Sequence, residues 1–382
     1  MSVDADVIIV GSGPGGCSSA HFLTQQGCRV LILEKNRLPR YKTCAGGVPD
    51  SGLALFPFSF DRVIEQRIRR FTCVHGQQTV SMEVPPRTLS MVMRDAFDLF
   101  LVEQSKAEVA EKQRVTHLVQ SADRVVVHTA DGKHLTAKYV IGGDGPHSRV
   151  AAAMNLRRNK RNGIALEVEV EVPGDVLHYF QGRVLAGFDV LPAGYYWIFP
   201  KSDHLSVGIG SLNLQKQPLL IKLQEHMSRY SIDISASRPR AHPLSVFTSL
   251  EPVQQGRVLL VGDAAGLVDP YTGEGIRHAL FSGKIAAECI LQGRIRQFTR
   301  RIHLEIARDL LWAGRLARFF YARQAFSFHY LIRNRYIFQA MLKTITNQST
   351  YRKSIQIWPL YLLHILKRQP LDGQGPRMKL GN

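Results

Sequence analysis

The first thirty-four residues constrain the chain more than any other stretch. Val7-Ile8-Ile9-Val10 is a β-branched run suited to a buried parallel strand, and Gly11-Ser12-Gly13-Pro14-Gly15-Gly16 follows at once. Ala20-His21-Phe22-Leu23 reads as helix, Gly27 ends it, and a second strand, Val30-Leu31-Ile32-Leu33, closes on Glu34. The order strand, glycine loop, helix, strand, acid is that of a βαβ unit binding a dinucleotide. Gly11 permits the tight turn, Gly13 lets the backbone approach a pyrophosphate, and Gly16 allows the helix to pack closely on the strand. Pro14 and Gly15 open the helix whose positive end faces the phosphates. Glu34 can accept a hydrogen bond from an adenosine ribose, and Lys35 beside it is a further candidate for binding the cofactor.

A chain of 382 residues exceeds one ordinary core, so the choice of dinucleotide is sought in distant segments. Tyr139-Val140-Ile141-Gly142-Gly143-Asp144-Gly145 reads as a strand entering a glycine turn. Val258-Leu259-Leu260-Val261-Gly262-Asp263 is another strand ending in Gly-Asp, with Asp269-Pro270 and Gly273-Glu274-Gly275 before a helix from Ile276 to Leu291. These features resemble the FAD-dependent oxidoreductases of the p-hydroxybenzoate hydroxylase type. The resemblance implies that Gly262-Asp263 contacts the ribityl chain, that Asp144 lies near the pyrophosphate, and that Arg94 reaches the cofactor. A helix beginning near Gly275, at Ile276, would aim its positive end at the flavin pyrimidine, where reduction places negative charge. Gly273 belongs to the same turn. No second glycine fingerprint exists for a bound nicotinamide cofactor.

Two further stretches narrow the class. Pro39-Arg40-Tyr41-Lys42-Thr43-Cys44-Ala45-Gly46-Gly47 follows the first unit, and Tyr195-Tyr196-Trp197-Ile198-Phe199-Pro200 precedes Gly208-Ile209-Gly210. Both are similar to signatures of the geranylgeranyl reductase family, and with the FAD motifs the resemblance spans roughly residues 5 to 295. It implies an FAD-dependent reductase that saturates isoprenoid double bonds, on a prenylated lipid, a quinone or a pigment precursor. It places Cys44, Ala45, Gly46 and Gly47 beside the flavin, and Tyr195, Trp197, Phe199 and Pro200 in the substrate pocket. Tyr195, Trp197 and Phe199 alternate along an extended segment, so they share one face, whether as pocket wall or as plain sheet core. Cys44 and Tyr41 are the catalytic candidates, Cys44 as proton donor, small gate residue or inert thiol. The external electron donor, NADPH or ferredoxin, the head group and the number of double bonds stay open. Rival readings on the same fold are an aromatic monooxygenase or halogenase, and a non-catalytic prenyl-lipid-binding flavoprotein.

The five cysteines lack Cys-x-x-Cys spacing, so neither a zinc site nor a disulfide scaffold is expected. Asp4 and Asp6 precede the first apolar run, unlike the basic start of a signal peptide, and a cytoplasmic protein is expected. The net charge of +18 is lopsided: Arg294 to Arg368 holds fifteen Lys or Arg against Glu305 and Asp309. Leu310, Leu311, Ala313, Leu316, Ala317, Phe319 and Phe320 interleave with Arg308, Arg315, Arg318 and Arg323, which predicts a basic amphipathic helix. Ile355 to Leu366 is apolar over about a dozen residues, short of the roughly twenty that span a bilayer. Peripheral docking on an anionic membrane and packing on the chain's own domain are both compatible with this pattern; nucleic acid is disfavoured, since no nucleic-acid motif accompanies the charge.

The expected architecture is α/β: a Rossmann-like FAD-binding domain of residues 1–70, 92–157 and 256–293, a β-sheet substrate-binding domain of 71–91 and 158–255, and a basic helical C-terminal region of 294–382.

Overall fold

The structure, a computed structural model, describes residues 3–157, 161–212 and 218–365. The end of the C-terminal region, including Leu366 and Arg368, lies outside the described residues, as do the side chains from Pro359 onward.

An eight-stranded sheet runs in the order Gln254–Gln255, Val258–Leu260, His134–Gly142, Ala5–Val10, Val30–Leu33, Glu108–Ala110, and Val125–Thr129 and Val115–Gln120 extend it antiparallel from His134–Gly142. The pairings of Ala5–Val10 with both neighbours are parallel. Parallel strands need cover on both faces, which is why Val7, Ile8 and Ile9 are fully buried and the runs are apolar without alternation. Helices Pro14–Thr24 and Ile276–Leu291 pack together at glycines: a β-carbon at Gly283 would overlap the Gly15 carbonyl. Ser18 Oγ donates to the Leu280 carbonyl at 2.7 Å, fixing the register of the two helices.

A seven-stranded sheet takes Arg240–Val246, Arg161–Val170, Leu205–Ser211, Gly194–Pro200, Arg183–Gly187, Arg70–His75 and Gln78–Glu83 in that order. Its two faces do different work. On one, Tyr196, Ile198, Val207 and Val168 pack under Leu223 and Met227 of the helix Leu219–Met227. The other carries Tyr195, Trp197 and Phe199 toward the eight-stranded unit. A three-stranded sheet, Gly47–Pro49, Leu89–Met91 and Gln66–Arg67, joins the two.

The C-terminal helices keep the amphipathic pattern read in the sequence, and the structure shows what covers their apolar side. In helix Arg308–Ala322 the apolar stripe is not a free surface: Leu310 is 1% exposed, Ala313 and Phe320 are 0%, and Leu316 and Ala317 are 4%. Phe320 meets Phe188 and Tyr271 edge-on, and Phe328 and Phe338 join the same core. Burying each such ring contributes about 1.5–3 kcal/mol, so the stripe is satisfied within the chain. Phe319, Phe326, Tyr330 and Tyr336 remain exposed.

Candidate functional site

The site forms where the glycine loops of the first sheet meet the aromatic face of the second. Gly11 has φ +97°, and a β-carbon there would lie 2.6 Å from the Gly143 carbonyl oxygen; one on Gly16 would overlap the Gly11 carbonyl. The helix Pro14–Thr24 begins with no acidic residue in its first turn and no side-chain cap, leaving its amides free for an anion. Asp144 Oδ2 accepts from the amides of Arg149 at 2.7 Å and Val150 at 3.3 Å, while its buried Oδ1 has no partner among the described residues. Glu34 is 3% exposed and accepts from the Ser12 amide, the Ser12 hydroxyl and the Asn36 amide, with Arg40 at 3.4 Å. Lys35 beside it is exposed.

Arg94 forks onto Asp98 through Nε at 2.9 Å and Nη2 at 2.8 Å, and Arg40 meets Asp98 at 3.2 Å. The Asp98 carboxylate thus pairs with two guanidinium groups in a buried setting, Arg40 meeting Glu34 as well, and the planar fork holds Arg94 in one orientation toward the cavity. Burial pulls the Lys42 amine down, and Arg94 adds to the effect. Burial and then Lys42 hold His242 well below its ordinary value.

A cavity of ≈ 230 Å³ joins these groups. Its polar end is lined by Pro14, Lys42 to Gly47, Arg94, Asp263 and Gly273 to Ile276. Its apolar end is walled by Phe71, Phe188, Tyr195, Trp197, Phe199 and Tyr271, and closed by Tyr321, Ile332, Phe338, Met341 and Ile345 of the C-terminal helices. The helix Ile276–Leu291 starts at the polar end from Gly275, without an acidic residue in its first turn. Gly46 has φ +71°, and a β-carbon there would overlap the Val92 carbonyl. The fully buried Lys201 amine donates to Ala45 O at 2.8 Å and Val92 O at 3.0 Å, pinning that turn from beneath.

The aromatic wall has a specific seat. Across the second sheet Ala186, Trp197, Gly208, Glu167 and Arg240 face one another strand by strand. The indole lies over Gly208, where a β-carbon would overlap its Cζ2, and Cζ3 is 3.6 Å from the β-carbon position of Gly210. The Tyr-x-Trp-x-Phe run and the later Gly-x-Gly are therefore one device. Tyr195 is tied to the Thr272 carbonyl of the glycine-rich loop. Pro200 alternates to the opposite face and does not line the cavity, and Gly262 packs against Ala279 with φ +56°.

Cys44 lines the cavity half-buried, with the Arg94 guanidinium against its thiol. Tyr41 donates to Glu167 Oε1 at 2.9 Å under the Arg240 guanidinium, which sits 3.8 Å from its ring centre. Reading the sequence missed Glu167, Glu169, His204, Lys201 and the C-terminal wall. The signal for the carboxylates was present in Leu166-Glu167-Val168-Glu169-Val170, where two acids alternate on one face of an apolar strand. Among the described residues no group of three or more His, Cys, Asp or Glu is arranged to hold a metal, and no helix is long and apolar enough to cross a membrane.

The shape and polar groups fit a flavin dinucleotide: blocked glycine turns, an uncapped helix start, an Asp144 oxygen without a partner among the described residues, and two cations beside an apolar chamber. Comparison with known proteins agrees. The FAD binding domain family matches residues 4–280. The chloroplastic geranylgeranyl diphosphate reductase of Oryza sativa subsp. japonica is 30% identical over 75% of this chain, a match that covers 66% of that enzyme's length. The digeranylgeranylglycerophospholipid reductase 2 of Methanopyrus kandleri is 30% identical over 75% of this chain and 76% of its own. Among solved structures, a geranylgeranyl bacteriochlorophyll reductase-like protein of Thermoplasma acidophilum superposes with a TM-score of 0.73 at 23% identity, covering 82% of this chain and 87% of that one. The fold is shared more widely: the halogenase PltM in complex with FAD reaches 0.65 at 17% identity over 81% of this chain and 74% of its own.

Proposed function

The chain belongs to the geranylgeranyl reductase family of FAD-dependent oxidoreductases, and from that premise we propose that it saturates carbon–carbon double bonds of a geranylgeranyl-type isoprenoid chain. The observation that carries this reading is the single cavity running from the glycine loops and Arg94 into a chamber of aromatic and aliphatic side chains. A polar aromatic substrate would leave that apolar chamber unfilled, whereas a prenyl chain would bury against it.

FAD, once reduced, supplies the hydride for the alkene. The amides of Gly15 and Gly16 and the cations Lys42 and Arg94 would hold its pyrophosphate, Glu34 its ribose and Asp263 its ribityl chain. Ala45 to Gly47 and Gly273 to Ile276 would flank the ring, the latter with the positive end of a helix. Tyr195, Trp197 and Phe199 orient the prenyl chain and exclude water, and Cys44 sits at the junction of the two ends as a small gate residue. The wall from Phe338 to Ile345 sets how far the chain can reach. The reductant that recharges the flavin is NADPH or ferredoxin.

A prenyl substrate is delivered from lipid, and Phe319, Phe326, Tyr330 and Tyr336 are exposed among the exposed Arg315, Arg318, Arg323 and Arg335. Aromatic side chains beside cations suit the headgroup region of an anionic leaflet, which supports peripheral docking there.

The deciding experiment reduces the purified flavoprotein without oxygen and offers geranylgeranyl diphosphate, digeranylgeranyl phospholipid or a prenylated pigment precursor. Flavin reoxidation with a gain of two hydrogens in the product supports the reading. Reoxidation that requires oxygen and modifies an aromatic compound would shift the assignment to a monooxygenase or halogenase. Prenyl binding without reoxidation would leave a carrier.

A further inference from the structure

We propose that Glu167 is the acid that protonates the substrate alkene, and that Glu169 and His204 resupply its proton from solvent. The inference rests on the isoprenoid-reducing reading above. Glu167 lies in the cavity wall, one strand from Gly208 and two from Trp197, and is 1% exposed. Oε1 accepts from the Tyr41 hydroxyl at 2.9 Å, whereas the buried Oε2 has no donor among the described residues. A carboxylate left so would be costly in a buried site, and the remedy is a proton on it. The Glu169 carboxyl lies within hydrogen-bonding reach. Burial and then the neighbouring charge of Glu169 favour the protonated form of Glu167.

The path outward is continuous. Glu169 Oε2 meets His204 Nε2 at 3.1 Å, and His204 Nδ1 meets Asp203 Oδ1 at 2.6 Å. Side-chain exposure is 22% at Glu169, 18% at His204 and 83% at Asp203. Protons can therefore travel from solvent to the cavity wall without opening the chamber to water.

The groups facing Glu167 favour this role over others. Tyr41 comes from the loop, with its hydroxyl pushed well above the ordinary range by burial and then by Glu167, so it orients the carboxyl rather than ionising. The Cys44 backbone approaches from the same loop. Arg240 is directly across the strand pair and stacks on Tyr41, and His242 follows on the same strand. Lys201 contributes a nearby charge, but its amine is committed to the Ala45 and Val92 carbonyls.

Saturating an alkene needs a hydride on one carbon and a proton on the other. With the hydride and its electron pair drawn from the reduced flavin, the π pair forms the second C–H bond to the Glu167 proton as the O–H bond breaks. The Glu167 carboxylate then takes a proton from Glu169, and Glu169 takes one through His204 from water.

Glu167→Gln keeps the shape and the acceptor for Tyr41 but carries no acidic proton. It should retain FAD with an unaltered visible spectrum, while anaerobic reoxidation of its reduced flavin by a geranylgeranyl lipid slows by about 10²–10⁴-fold. Two readouts need no turnover. The infrared band of a protonated carboxyl, shifted by deuterium oxide, should be present in the wild type and absent from the variant. Burial and then Glu169 push the Glu167 carboxyl up to about 8 from 4.5, so the folded chain holds a proton that the unfolded chain has released. Wild-type stability should then fall between those pH values, and that of the variant should fall less. For a second variant nearer solvent, His204→Gln should slow repeated turnover and recover with added imidazole. Wild-type rates in Glu167→Gln, or a wild-type spectrum with no carboxyl band that the variant lacks, would overturn the proposal. A wild type inert to every prenyl lipid would instead remove the reading beneath it, while the infrared result would still report on Glu167.

Discussion

The indole of Trp197 occupies the volume that a side chain at Gly208 would need, so the two residues act as plate and seat. They belong to adjacent antiparallel strands and stand directly opposite each other, with Ala186 on the far side of the indole. Small residues on both sides let a large ring lie flat along the wall of the chamber.

Gly208→Val should therefore displace the indole. Overpacking of this kind costs about 1–3 kcal/mol, visible as a lower midpoint in urea. Prenyl turnover should fall about 10²-fold from misplacement of the chain, with FAD content unchanged. Unaltered kinetics in a folded variant would return Trp197 to a packing role.

Asp263→Ala tests the second half of the cofactor site, which the Gly-Asp pair and its cavity position support. Loss of one charged hydrogen bond, about 1.5–3 kcal/mol, should weaken FAD retention by roughly tenfold or more. Gel filtration followed by the ratio of yellow absorbance to protein measures it, and full retention would remove Asp263 from the contact set.

Met341→Trp should shorten the chamber, because Met341 is 4% exposed and lines its closed end. A geranylgeranyl substrate should lose roughly tenfold in kcat/KM, while a geranyl analogue loses less. Equal losses for both chain lengths would place the prenyl tail elsewhere.

Phe326→Ser combined with Tyr330→Ser removes two exposed rings, 50% and 43% accessible, from the basic rim. Sedimentation with anionic vesicles should drop several-fold, and more so at high salt, where the Arg contribution is already screened. Identical sedimentation of the folded variant would reject docking through this rim.

Asp189 supplies an acid-range test of the second sheet. Burial would raise its carboxyl, but hydrogen bonding and charge from His226 and Arg229 outweigh it, and it titrates at about 2 rather than 3.8. The folded-state value is depressed, so its contribution is present above about 4 and is lost as pH falls through 2. Asp189→Asn should be less stable than the wild type at pH 6, and the gap in melting temperature should close near pH 2. A gap independent of pH would mean that the ion pairs with Arg229, at 3.1 Å, and His226, at 3.8 Å, carry no net stability.

Much of the cofactor half was legible because its signals are local. A tight turn at Gly11, the strand before it, the helix after it and Glu34 lie within thirty residues, and their spacing is imposed by one ligand. The aromatic alternation at Tyr195, Trp197 and Phe199 was also legible as a shared face, although Pro200 falls on the other side and Lys35 points to solvent. The basic helix Arg308–Ala322 was read as amphipathic, which it is, but the sequence pattern could not say what covers the apolar stripe.

By itself, then, the sequence determined the paired glycine motifs, the α/β class and the aromatic strand, since each depends on conformational preferences within a few residues. Only the tertiary structure decided that Gly208 seats Trp197, that Glu167 and Glu169 turn inward toward Tyr41 and His204, and that Phe338 and Met341 close the chamber. The physical reason is that a strand presents alternate residues to two faces. Which face becomes core, cavity or solvent depends on the chain segments that pack against it, some of them more than a hundred residues away, as Tyr41 is from Glu167.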